Sequence, residues 1–225
     1  MCVLEENKNC WLYNCCSHVD CDKSCIKRIK LDYLYNLGLI TEKQRIRFKF
    51  NPDIRDKETF EYVANISKNV LKFVEIGGNL YIHSKQCGNG KTSLALRLVQ
   101  SYLDKIWPTS PLTCRVLFIN VPRYLLEIKN NISEKSDYIE HIRKNVLDAD
   151  LVVWDDIGTK GLTQFEHENV LSMINARLDA GKANIYTSNL SKDELHDSVG
   201  DRLYSRVYSL SEDVELFGDD YRPNM

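Results

Sequence analysis

One stretch of this chain, Gly88-Asn89-Gly90-Lys91-Thr92, restricts its possible folds more than any other. It lies between a short apolar run, Leu80-Tyr81-Ile82, and a segment carrying Leu94, Leu96 and Leu98 that reads as a helix over about 91–105. Glycine permits backbone conformations closed to other residues, so such a loop can turn successive N–H groups, and the N-terminus of the following helix, onto phosphate oxygens. A lysine there reaches the outer phosphates and a threonine hydroxyl ligates Mg²⁺. Gly88, Asn89, Gly90, Lys91, Thr92 and Ser93 are therefore expected to bind a nucleotide. The full pattern G-x-x-x-x-G-K-[ST] begins with glycine where this chain has Lys85, which puts the loop's first turn in question.

The surrounding pattern supplies the context that the loop requires. Strands are expected at 80–82, 115–119, 151–154 and 185–187, with helical spacing between them. Thr163 followed by Glu166 is a capping-box signature for a helix running to about 179, which Gly181 stops. Phe60, Val63, Ile66, Val70 and Phe73 form one stripe of a helix over 57–73, ended by Gly77-Gly78. Strands alternating with helices predict an α/β fold, a mainly parallel sheet covered on both faces with ligands at the carboxyl ends of its strands.

The run Leu151-Val152-Val153-Trp154 ends in two acids, Asp155 and Asp156. Paired with Lys91 and Thr92, Asp155 is expected to hold Mg²⁺ with Thr92, and Asp156 to orient or deprotonate an attacking water.

The 225 residues suit one α/β domain with a small appendage, divided here as 1–45 and 46–225. No apolar run approaches the roughly 18 residues that span a bilayer, and the first 13 residues lack a basic flank and apolar core, so a cytoplasmic protein without membrane contact is expected. In a reducing compartment clustered cysteines are more often metal ligands than disulfides. Six of the eight cysteines fall within the first 25 residues. Zinc on Cys10, one of Cys15 or Cys16, Cys21 and Cys25 is the favoured reading, with an iron–sulfur cluster or free thiols as alternatives. Behind them, Ile26, Ile29, Leu31, Leu34 and Leu37 follow helical spacing up to Gly38. Cys87 and Cys114 read as structural. The net charge of −2 gives no general attraction to nucleic acid, so any such binding must be local or belong to an oligomer.

Taken in order, Gly88 to Thr92, Trp154-Asp155-Asp156-Ile157-Gly158, Tyr186-Thr187-Ser188-Asn189 and Gly200-Asp201-Arg202-Leu203-Tyr204-Ser205-Arg206 resemble the AAA+ helicase loaders of the DnaC/DnaI type and the related IstB transposition helpers. The likeness covers about 81–222. It implies a three-layer αβα P-loop ATPase domain using ATP and Mg²⁺, without a C-terminal lid domain, behind the cysteine-rich segment. It further implies that Asn189 is a polar sensor, that Arg206 (or, second, Arg202) is an arginine finger acting on a neighbouring subunit, and that Arg222 is the second sensor. The implied partners are a replicative DnaB-type helicase, docked by the N-terminal segment, single-stranded DNA and further copies of the chain. Loaders are expected to hold DNA at 121–149, where Arg123, Lys129, Lys135, Arg143 and Lys144 lie among Tyr124 and Tyr138. The rival functions are an IstB-like transposition helper, a small-molecule P-loop kinase, which would need a lid with clustered arginines, and a regulator that binds ATP without hydrolysing it.

Overall fold

A computed structural model describes residues 12, 25–46, 54–130, 136–158 and 163–218. Five strands, β1 (Asn79–His83), β2 (Val116–Asn120), β3 (Leu151–Asp155), β4 (Ala183–Ser188) and β5 (Glu212–Glu215), form one parallel sheet in the order β2-β3-β4-β1-β5. The helices are α1 (Ile26–Leu37), α2 (Glu42–Arg45), α3 (Lys57–Lys68), α4 (Val70–Glu75), α5 (Lys91–Ile106), α6 (Val121–Asn130), α7 (Asp137–Asn145), α8 (Gln164–Asp179) and α9 (Lys192–Val207).

Successive strand residues point to opposite faces, and the two faces carry separate apolar clusters. Leu80, Ile82, Val116, Phe118, Leu151 and Val153 pack with side chains of α1, α3, α4 and α5. Tyr81, Leu117, Ile119, Val152, Trp154 and Tyr186 pack with α6, α7, α8 and α9. The result is the expected three-layer αβα P-loop fold. Strands covered on both sides are apolar through their middles, which is why the four strands expected from sequence are present with ends moved by one or two residues, the polar Asn79, His83, Asn184, Thr187 and Ser188 lying toward those ends.

Three local features differ from the sequence reading. The edge strand β5, Glu-Asp-Val-Glu, was not foreseen, because only Val214 in it is buried and its strand geometry comes from pairing with β1. The helix expected over 57–73 breaks at Asn69 (φ −106°, ψ 24°) into α3 and α4. Gly38 does follow the end of α1, but the left-handed conformation falls on Leu39 (φ 59°). Gly38 is needed for close approach instead. A Cβ there would lie 2.9 Å from the Val116 carbonyl oxygen, and the Phe118 N–H donates to Gly38 O at 2.9 Å.

This contact seats α1 on β2, with Leu31, Leu34 and Tyr35 fully buried in the sheet's own core. Buried Arg45 fastens the connection by donating to Asp32 Oδ1 (2.8 Å), Ile40 O (3.0 Å) and Asn36 Oδ1. Of the cysteine cluster, Cys10, Cys15, Cys16 and Cys21 lie outside the described residues; Cys25 is a half-buried free thiol just before α1. No group of metal-ligating side chains occurs among the described residues, nor does a helix long and apolar enough to cross a membrane.

Candidate nucleotide-binding site

The loop between β1 and α5 takes its shape from its own side chains. Gly88 (φ 78°) and Gly90 (φ 97°) adopt left-handed conformations that a side chain would strain. Lys85 is exposed and is not among the residues with positive φ, so the glycine missing at that position imposes no left-handed strain. Asn89 is buried and donates to Ser84 Oγ (2.5 Å), closing the loop across its base. Lys91 is 7% exposed, and its ammonium donates to Gln86 O (2.7 Å), Asn89 Oδ1 (3.1 Å) and Ser84 O (3.4 Å). These oxygens hold the cation at the head of α5, where the helix dipole also favours an anion.

The acidic strand end faces this loop. Thr92 Oγ1 donates to Asp155 Oδ1 at 2.8 Å, which joins the start of α5 to the end of β3. Thr187 Oγ1 donates to the same oxygen at 2.8 Å, and Asn120 Nδ2 to Asp155 Oδ2 at 3.3 Å. Asn189 Nδ2 donates to Asp156 Oδ1 at 2.8 Å. Burial first, then the neighbouring Asp155 charge, raises the Asp156 pKa above its ordinary 3.8; Lys91 and the Asn189 hydrogen bond pull it the other way. Cys87, Gly88, Gly90, Lys91, Thr92, Ser93, Asp155, Asp156, Thr187 and Asn189 line one cleft of about 370 Å³.

The cleft therefore gathers nearly all the residues expected to touch a nucleotide; Asn89 supports it from beneath. Its donor set fits a nucleoside triphosphate with Mg²⁺: a cradle of glycines and a lysine for phosphate, and a hydroxyl beside a carboxylate for the metal. Arg206 stands elsewhere, exposed on α9, with Nε donating to Asn175 Oδ1 at 2.8 Å; Arg222 lies outside the described residues. Sequence reasoning missed Thr187 and Asn120. Both sit at strand ends beside β3, but only register with Asp155 marks them out.

The cation-rich region after β2 differs from expectation. Tyr124 is 1% exposed with its hydroxyl toward Met173 Sδ, so it cannot serve as a stacking platform for a base. Lys129 is paired with buried Glu166 at 2.9 Å, and Arg123 lies over the Tyr138 ring, 4.3 Å from its centroid. Arg143 and Lys144 are exposed, and Lys135 is outside the described residues. Cys114 is buried, its thiol near Val116 O (3.1 Å) and its pKa pushed up to about 12 by burial, consistent with a structural role.

The sheet order, the glycine loop and the acidic strand end facing it define a nucleotide-binding protein with a P-loop fold. The chain belongs to the family of IstB-like ATP binding proteins, whose model matches residues 40–224. Its fold is that of the DnaC helicase loader (TM-score 0.61, 20% identity, 82% of this chain and 98% of that one). It is similarly close to a putative primosome component from Streptococcus pyogenes serotype M3 (0.61, 21%, 84% and 97%) and to DnaI (0.60, 16%, 75% and 88%). No curated protein matches the chain.

Proposed function

We propose that this chain is an ATPase that controls the loading of a replicative DnaB-type helicase onto single-stranded DNA. The observation that carries the reading is the convergence of Lys91, Thr92, Asp155, Asp156 and Asn189 on one cleft, in a chain with the fold of the DnaC helicase loader. Bound ATP with Mg²⁺ supplies the bond to be hydrolysed and a Lewis acid. The loop N–H groups and Lys91 bind the phosphates, while Thr92 and Asp155 hold the metal. Asp156 orients and deprotonates water. Its raised pKa makes it a stronger base than an ordinary carboxylate, and Asn189 fixes one of its oxygens so that the other can take the proton.

Arg206, exposed and outside this cleft, is proposed to complete the site of a neighbouring copy, with Asn175 steadying its guanidinium. Arg222 is proposed as the second sensor. Residues 1–45 are proposed as the helicase-docking part, with zinc on its cysteines; α1, within it, packs on the sheet. Arg123, Arg143 and Lys144 are the cations proposed to follow a DNA backbone, with Tyr138 as the aromatic surface. The family match also supports a second reading, an IstB-like helper of DNA transposition.

Mixing Arg206→Ala with Lys91→Ala protein tests the assembled ATPase. An arginine supplied in trans is worth about 10³–10⁵ in rate, so two variants that are each nearly inactive should recover activity when mixed, the lysine variant lending its arginine to the intact cleft of the other. No recovery on mixing would exclude the trans role, and calorimetry showing no ATP uptake would overturn the whole reading. Co-purification with the replicative helicase, with and without residues 1–24, which leaves α1 in the core, separates the loader from the transposition helper.

A further inference from the structure

We propose that Thr187 is the positioning residue for both catalytic acids, and that its hydroxyl sets the metal requirement of hydrolysis; this rests on the ATPase reading above. The β4 strand lies between β3 and β1 and ends beside the cleft in three consecutive polar residues, Thr187 and Ser188 in the strand and Asn189 just after it. Ser188 Oγ donates to Ile157 O at 2.7 Å, and Asn189 holds the Asp156 carboxylate. Of these three, Thr187 hydrogen-bonds to both acids. It is 2% exposed, its Oγ1 donates to Asp155 Oδ1 at 2.8 Å, and the same oxygen accepts the Asp156 N–H at 3.0 Å.

The second contact matters because Asp156 has φ 60°, in the left-handed region that residues with a Cβ avoid. Such a turn persists where its surroundings fix it, and the Thr187 hydroxyl and the Ile157 N–H to Thr187 O bond (2.8 Å) pin it from both sides. The first contact matters because Asp155 Oδ1 has two hydroxyl donors, Thr92 and Thr187. Thr92 and Asp155 would hold a magnesium ion, and a Thr92 hydroxyl turned to the metal would leave Thr187 as the donor that keeps the Asp155 carboxylate in place.

Valine keeps the branched shape of threonine but can neither donate nor accept, whereas serine can do both. In Thr187→Val, kcat should fall about tenfold or more and the Mg²⁺ concentration for half-maximal rate should rise. Affinity for a fluorescent ATP analogue in EDTA should stay within about twofold of wild type, and Thr187→Ser should restore both kcat and the Mg²⁺ requirement. Thr187→Ala removes the hydroxyl without adding an apolar methyl beside the acids, and serves if the valine variant does not fold. Wild-type values of kcat and Mg²⁺ dependence in the hydroxyl-free variants would overturn the inference, as would a serine variant as impaired as valine. Those outcomes leave the ATPase reading standing. Wild-type protein that neither binds nor hydrolyses ATP sinks that reading and this one together.

Discussion

The two ends of β3 and β4 carry polar networks of opposite design. At the amino end, fully buried Arg177 of α8 donates to Asn184 Oδ1, Val146 O, Ala149 O, Ala183 O and, at 3.5 Å, Asp150 O. Asn184 in turn accepts from Trp154 Nε1 and donates to Asn79 Oδ1 and Lys182 O. Burial pulls the Arg177 pKa down to about 10, still far above neutrality, so the cation remains charged. Its donors are spent on protein oxygens. At the carboxyl end Lys91 also gives its three donors to protein oxygens, but it lines an open cleft together with Thr92, Asp155 and Asp156. The lesson is that access to a cleft, and not the mere presence of buried charge, separates a structural network from a reactive one.

Asp156→Asn breaks the open network at its reactive atom. Loss of a general base costs about 10²–10⁴ in rate, so kcat should fall by about 10³ with nucleotide binding kept, as steady-state ATPase assays and calorimetry would read. A nearly active variant would show that the carboxyl end, too, is only structural. Arg177→Met breaks the sealed network and strands several buried oxygens without a donor, so unfolding free energy should drop by roughly 3–5 kcal/mol in denaturant melts. The ATP affinity of the folded fraction should not change; a selective loss of affinity would erase the contrast.

The smallest effect is a sign. The folded state raises the Asp156 pKa, so it binds this proton more tightly than the unfolded chain does. Ionisation therefore costs stability as pH rises from the ordinary 3.8 through the raised value, and the cost is complete above that value. Asp156→Asn should thus melt above wild type at pH 7, with the difference vanishing below the ordinary value. A lower melting point at pH 7 would mean that the carboxylate is stabilising, like the groups of the sealed end.

Much of the cleft is legible in the residue order. Gly90-Lys91-Thr92 precedes a helix, Asp155-Asp156 ends an apolar strand, and Asn189 follows another, because each motif is local and announces its own element. Thr163 and Glu166 form their capping box for the same reason, Thr163 N and Oγ1 donating to Glu166 Oε2 at 2.8 and 2.7 Å. The roles of Thr187 and Asn120 were not legible: Thr187 falls within a motif read for Asn189, and a Thr or Asn at a strand end has no contact with Asp155 until a neighbouring strand brings it there. Tyr124 misled because helical position alone does not say which face a side chain presents.

Apolar runs of four to six residues, glycines beside Lys91 and acids after Trp154 were enough to determine an α/β protein with a phosphate-binding loop, because backbone preference and side-chain periodicity act over a few residues. Strand order, the pairing of Glu-Asp-Val-Glu with β1, the docking of α1 through Gly38 and the choice of which hydroxyls reach Asp155 were decided only in three dimensions. Those features depend on contacts between residues 30 to 150 positions apart, which no local pattern encodes.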